Sequence, residues 1–183
     1  MKKRLQIWVM GSAADLGYER LIEERAIELW KEIAKRGHIL IFWAEKDVYS
    51  LSSAAARGAK QMGGLTVWIT YGRYPDIYPL MKQYTDVIIC SGMDRGWWRE
   101  FVLVSSCDAI ITIWWWSWTL NEITVAYQKK IPIVVMKWTW GWSDRLVDTY
   151  LDDRYKKDSN RFICKWVETA KEALDYIENI FRF

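Results

Sequence analysis

Short apolar, β-branched runs alternate with stretches whose apolar residues recur every three or four positions, along almost the whole chain. The runs Leu5–Met10, His38–Phe42, Leu65–Thr70, Asp86–Cys90, Asp108–Ile113 and Ile131–Met136 predict strands, and Phe162–Cys164 predicts a short seventh at an edge. Asp108–Ile113 is the most hydrophobic of them, which predicts a central place. Between the strands, helices are predicted over 16–36, 50–61, 97–106 and 119–129, with a short one over 143–151 and a last one over 167–181. In the first of these, Leu21, Ile22, Ala26, Leu29, Ile33 and Ala34 share one face, and Gly37 stands where a left-handed C-cap residue belongs. Tyr71 to Met81 is irregular, Asp152 to Arg161 is a polar loop, and there is no internal repeat.

Near-continuous apolar strands alternating with helices imply a parallel sheet covered on both faces. The expected class is α/β, a doubly wound, mostly parallel sheet of six to seven strands in one Rossmann-like domain over residues 1–183. Ligands of such folds sit beyond the carboxyl ends of the strands, where the strand order reverses. Attention therefore falls on the loops after Met10, Phe42, Thr70, Cys90, Ile113 and Met136.

Composition narrows the function. The chain has 183 residues and a formal charge of +3 spread along its length, which is no nucleic-acid footprint. No apolar run approaches the roughly 18 residues of a membrane helix, and the first residues lack the apolar stretch of a signal peptide. Three widely spaced cysteines, Cys90, Cys107 and Cys164, read as reduced and mostly buried, which points to the cytoplasm. One histidine and no Cys-x-x-Cys speak against a zinc site, and His38 reads as a surface or satisfied structural residue. No metal and no resident cofactor is expected.

Tryptophan is the anomaly: 14 Trp stand against 10 Gly, in clusters at Trp97-Trp98, Trp114 to Trp118 and Trp138 to Trp142. These clusters, with Trp43, fall just beyond predicted strand ends.

Ala54-Ala-Ala-Arg-Gly-Ala-Lys60 with Gly63-Gly64, Arg99-Glu-Phe-Val-Leu103 before Cys107-Asp-Ala-Ile110, Thr119-Leu-Asn-Glu122 and Gly141-Trp-Ser-Asp-Arg145 occur in order along the chain. This pattern resembles the LOG-type Rossmann family, once described as possible lysine decarboxylases and including molybdenum-cofactor carrier proteins. The resemblance runs from the first strand to the last helix. It implies a nucleoside 5′-monophosphate phosphoribohydrolase, or a protein that binds a phosphorylated ligand such as a pterin-type cofactor, and it implies a homo-oligomer.

The family's central motif, Gly-Gly-x-Gly-Thr-x-x-Glu, reads here Trp115-Trp-Ser-Trp-Thr-Leu-Asn-Glu122. Thr and Glu keep their places, and each motif glycine is Trp. Trp8, Trp30, Trp43, Trp68, Trp97, Trp98, Trp114, Trp138 and Trp140 also stand where the family commonly has Gly, whereas Trp142 and Trp166 look like ordinary family tryptophans. So uniform a replacement suggests an engineered or recoded sequence; the codons GGG and UGG differ by one base.

Glycines after a strand allow positive φ and let backbone N–H groups approach a phosphate with no Cβ between them. Indoles at 115, 116 and 118 are expected to abolish or reshape that cradle, and to push the loops outward. By resemblance, Glu122 and Arg99 are the catalytic candidates, the first orienting water or ribose hydroxyls, the second holding phosphate or ribose. Ser12, Trp43, Trp115, Trp116, Ser117, Trp118, Thr119 and Ser143 are the ligand-binding candidates. Asp94, Glu100 and Asp15 are weaker ones, and Ser143 is expected first as a helix cap. Three readings stay open: a hydrolase, a binding or carrier protein, and a scaffold whose pocket is packed with indoles. The expected partner is a small nucleotide or phosphorylated ligand, with neither nucleic acid nor membrane.

Overall fold

A computed structural model describes residues 3–11, 20–43, 50–94, 97–113, 117–139, 141–157 and 160–181, apart from the side chains of Trp97, Ser117 and Trp118. Seven parallel strands form one sheet: β1 (Gln6–Met10), β2 (Ile39–Trp43), β3 (Leu65–Thr70), β4 (Val87–Cys90), β5 (Ala109–Thr112), β6 (Ile133–Met136) and β7 (Cys164–Val167). Their order is β4-β3-β2-β1-β5-β6-β7. The central strand is thus β1, not β5; β5 lies beside it, and both are buried on both faces, so apolarity alone does not rank them. The helices are α1 (Arg20–Lys35), α2 (Leu51–Gln61), α3 (Trp97–Ser105), α4 (Ser117–Gln128), α5 (Trp142–Arg145) and α6 (Ala170–Ile180). α1 packs on α2 and α6, and α3 packs on α4, giving the two helical layers of a doubly wound fold.

Local chemistry sets the element ends. Gly37, at φ 79°, closes α1 in a Schellman motif: its N–H bonds to the Ala34 carbonyl and the His38 N–H to that of Ile33. Ser50 and Ser53 form a reciprocal capping box that starts α2. Thr169 caps α6, so that helix starts at Ala170 and not at Val167, which belongs to β7. The seventh strand accordingly follows Phe162 instead of including it, with Phe162 in a 3-10 turn before it. The predicted helix over 143–151 shrinks to the single turn of α5. In α1 the buried face is Ile22, Ala26, Leu29, Trp30, Ile33 and Ala34, while Leu21 is exposed. Of the cysteines, all free, Cys107 and Cys164 are buried and Cys90 is exposed.

His38 is buried and satisfied. Its Nδ1 accepts from the Leu5 N–H at 3.2 Å, so the ring proton lies on Nε2 and is donated to Glu178 Oε1 at 3.0 Å. Arg36 continues the network to Glu178, Asp175 and Glu32, tying the end of α1 to α6.

Three tryptophans lie wholly inside. Trp8, in the middle of β1, and Trp68, in β3, are 1% exposed, as is Trp30 in α1. Trp68 meets Phe42 edge to face, with ring centroids 4.6 Å apart. Mid-strand indoles are therefore accommodated in the core, but none of the three N–H groups has an acceptor among the described residues. A buried donor left unbonded costs about 1–3 kcal/mol. Trp138 carries a second kind of strain, since its φ of 64° lies in the left-handed region that bulky residues avoid, at a cost of about 1–3 kcal/mol.

Replacing His38 by Ala leaves the Leu5 N–H and the Glu178 carboxylate without their buried partner. The expected loss is about 2–3 kcal/mol of unfolding free energy, measured by urea denaturation.

Candidate functional site

Strand order reverses between β1 and β5, because the chain steps outward from β1 to β4 and then returns to the other side of β1. In a doubly wound fold this reversal marks the place, beyond the carboxyl ends of the strands, where a ligand crevice opens. Facing it are the end of β2 with Trp43, the residue after β3, Tyr71, the first turn of α3 with Arg99 and Glu100, and the start of α4 with Thr119 and Glu122.

Arg99, Glu100, Thr119 and Glu122 are all buried, Arg99 and Glu100 at 2% exposure and Glu122 at 3%. Arg99 Nη2 reaches Glu100 Oε1 at 3.4 Å. The guanidinium carbon lies 3.5 Å from the Trp43 ring centroid and 5.5 Å from that of Tyr71, a cation–π arrangement with Trp43 flat against the charge. The Thr119 hydroxyl donates to Glu122. Glu100 Oε2 has no donor among the described residues.

The electrostatics follow from burial. Loss of water pushes the Glu122 carboxyl well above the ordinary carboxylate range, and the nearby Glu100 pushes the same way. Arg99 and the Thr119 hydrogen bond pull it back without cancelling the rise. Burial thus favours the neutral acid form of Glu122 relative to an exposed glutamate. Such a group donates a hydrogen bond or a proton and does not act as a ready base. Burial also raises the thiols of Cys107 and Cys164, the latter to about 12, so neither is a thiolate nucleophile.

Of the residues predicted from sequence, Arg99, Glu122, Thr119 and Trp43 are brought together. Ser143 lies in a neighbouring buried spot, where its hydroxyl pairs with that of Thr112 at 3.2 Å. It does not cap α5: the capping position is Gly141 and no side chain closes that end. A residue two places further into so short a helix points its hydroxyl back at the sheet instead. Asp94 is exposed. Ser12, Asp15, Trp114, Trp115, Trp116 and Trp140 lie outside the described residues, and with them the expected outward shift of the loops; Ser117 and Trp118 are placed in α4 by backbone only. Glu100 gains weight from its contact with Arg99. Tyr71 was not singled out, although an aromatic one residue past a strand end is a signal that could have found it. Among the described residues no group of three or more His, Cys, Asp or Glu is placed to hold a metal ion. Nor is any helix among them long and apolar enough to cross a membrane.

A family model covers residues 4–171. The chain belongs to the SLOG cluster4 family. An uncharacterized protein of Archaeoglobus fulgidus is 31% identical over 135 residues, covering 74% of this chain and 82% of that protein. Among solved structures, the molybdenum cofactor carrier protein of Chlamydomonas reinhardtii superposes with a TM-score of 0.76 at 20% identity, over 98% of this chain and 99% of the other. The molybdenum cofactor binding protein of Rippkaea orientalis gives 0.75 at 20% identity over 100% of both chains. These likenesses establish the Rossmann-like fold of the SLOG family member.

Two outcomes follow from the buried charges. Between the ordinary glutamate range and the raised value for Glu122, the folded chain holds a proton that the unfolded chain has released, so stability falls as pH rises through that window, by up to about 1.4 kcal/mol per pH unit. Glu122→Gln, neutral at all pH, removes this slope; equilibrium unfolding of both proteins from pH 5 upward reads it out. Arg99→Leu leaves Glu100 buried without its cation, and is expected to cost about 3 kcal/mol in the same assay.

Proposed function

We propose that this protein is built to bind a nucleotide or a similar phosphorylated ligand at the crevice between β1 and β5, and that tryptophan fills its phosphate loop, so that the chain as written is an engineered or inactive version. Its one Rossmann-like domain works in the cytoplasm, on a small molecule, as a homo-oligomer. One observation carries the reading. The guanidinium suited to an anion, Arg99, is buried beside Glu122 and Thr119 at the mouth of α4, yet the Trp43 ring lies against its face at 3.5 Å, where an anion would approach.

The start of α4 supports a phosphate subsite, since unbonded N–H groups and the helix dipole favour negative charge there. Trp115, Trp116 and Trp118 stand at that same helix start in the sequence. A phosphate bound there places the ribose or ring portion toward Glu122. In a hydrolase of nucleoside 5′-monophosphates, a carboxylate at this place would steady oxocarbenium-like charge at the sugar. The raised proton affinity of buried Glu122 weighs against that chemistry here. The carrier reading, binding of a phosphorylated pterin, asks nothing of Glu122 beyond a hydrogen bond. The full-length likeness to two molybdenum-cofactor proteins supports it as the second reading.

Calorimetric titration with AMP tests the proposal on two proteins: the chain as written, and the same chain with Trp43→Gly, Trp115→Gly, Trp116→Gly and Trp118→Gly. Binding is expected only in the second, weakened tenfold or more by Arg99→Ala. Heat from neither protein directs the same titration to a phosphorylated pterin. Equal binding by both overturns the blocked-site reading.

A further inference from the structure

Resting on the reading of the crevice as an anion site, we propose that every tryptophan except Trp142 and Trp166 is glycine in the protein made by the ribosomes of its own organism. The codon at each is UGA, translated there as glycine, and the crevice is an open anion cradle.

The backbone carries the first part of the argument. Three βα junctions keep a glycine, and the structure shows what it does. After β1, a Cβ on Gly11 would lie 2.3 Å from Leu51 Cδ2 and 3.4 Å from the Ile113 carbonyl oxygen, so any side chain there must displace the buried Leu51. After β3 and β4 the chain turns through Gly72 and Gly92 at φ 72° and 71°. After β6 it turns at φ 64°, the same left-handed conformation, but the residue is Trp138. Only glycine takes that conformation without strain. The junctions after β2 and β5 likewise carry tryptophan, Trp43 and the run from Trp114.

The interior carries the second part. Trp8, Trp30 and Trp68 lie on three different elements and share one defect, a buried indole N–H with no acceptor among the described residues. Buried tryptophans ordinarily find one. Trp142 and Trp166 differ. Trp142 opens α5 and Trp166 lies in β7, and neither buries an unbonded N–H.

Uniformity carries the third. Single-base changes in glycine codons yield Ala, Val, Asp, Glu, Ser, Arg and Cys as well as Trp, so drift at many positions would leave a mixture. A reading that differs at one codon leaves one residue everywhere. UGA is the codon with that property, being stop in the standard code and Trp or Gly in variant codes. The proposal accordingly requires GGN codons at the ten glycines still present.

For the site the consequence is direct. Without the Trp43 ring, no indole lies against the Arg99 guanidinium at that position.

The test is tandem mass spectrometry of peptides from the protein purified from the organism that encodes it, with the gene sequenced alongside. Glycine is expected at positions 8, 30, 68 and 138, with UGA in the gene, and tryptophan at 142 and 166, with UGG. Tryptophan at any of the first four overturns the proposal. This readout identifies residues and not ligands, so it stands or falls apart from the AMP titration. A second measurement compares recombinant protein as written with protein in which all those tryptophans are replaced by Gly. Glycine inside helices and strands ordinarily lowers stability, but here the replaced chain is expected to melt several degrees higher. A lower melting temperature for the glycine version overturns the assignment.

Discussion

Parallel pairing of β1 with β5, in the register Ile7 with Ala109 through Met10 with Thr112, is the contact on which the rest of this molecule depends. Strands two to four lie on one side of it and strands six and seven on the other. Because the chain reverses direction across the sheet at this pair, a doubly wound fold has its ligand gap there, beyond the carboxyl ends of the strands. Everything with chemical potential here, from Arg99 to Glu122, is gathered at that gap. The pairing itself is apolar and wholly buried, so it is insensitive to the chemistry it frames.

At the gap the dominant physical fact is desolvation. A guanidinium, two carboxyls and a hydroxyl are held out of water within one cluster, where Arg99 pairs with Glu100 and burial raises the proton affinity of Glu122. A bound anion would change that balance by adding negative charge beside Arg99. The site is thus poised electrostatically around a ligand of the charge class proposed for it, while an indole occupies the approach.

Tryptophan is costly in this fold for reasons unrelated to hydrophobicity. The core accepts the three buried rings by volume, and Trp68 even gains an aromatic partner in Phe42. Their N–H groups are what the core cannot serve, because parallel strands and helices have already spent their backbone carbonyls on each other. At Trp138 the difficulty lies in the backbone, whose turn is one that a residue with a Cβ resists.

By itself the sequence determined the layer architecture. Alternating apolar runs and amphipathic helices place six of the seven strands within a few residues, and Gly37 marks the end of α1 by a motif that is local in the chain. It also singled out Arg99, Thr119 and Glu122 by resemblance, the first two in the first turns of α3 and α4 and Glu122 in the second turn of α4. Only the tertiary structure decided what depends on distant partners: that β1 is central, that Ser143 meets Thr112 instead of capping a helix, that His38 is clasped between Leu5 and Glu178, and that Glu100 and Tyr71 join Arg99. Periodicity is set by neighbours three or four residues away and is legible in one dimension. Burial, proton affinity and the identity of a cation's partner are set by residues brought together across the sheet, and those are properties of the folded chain alone.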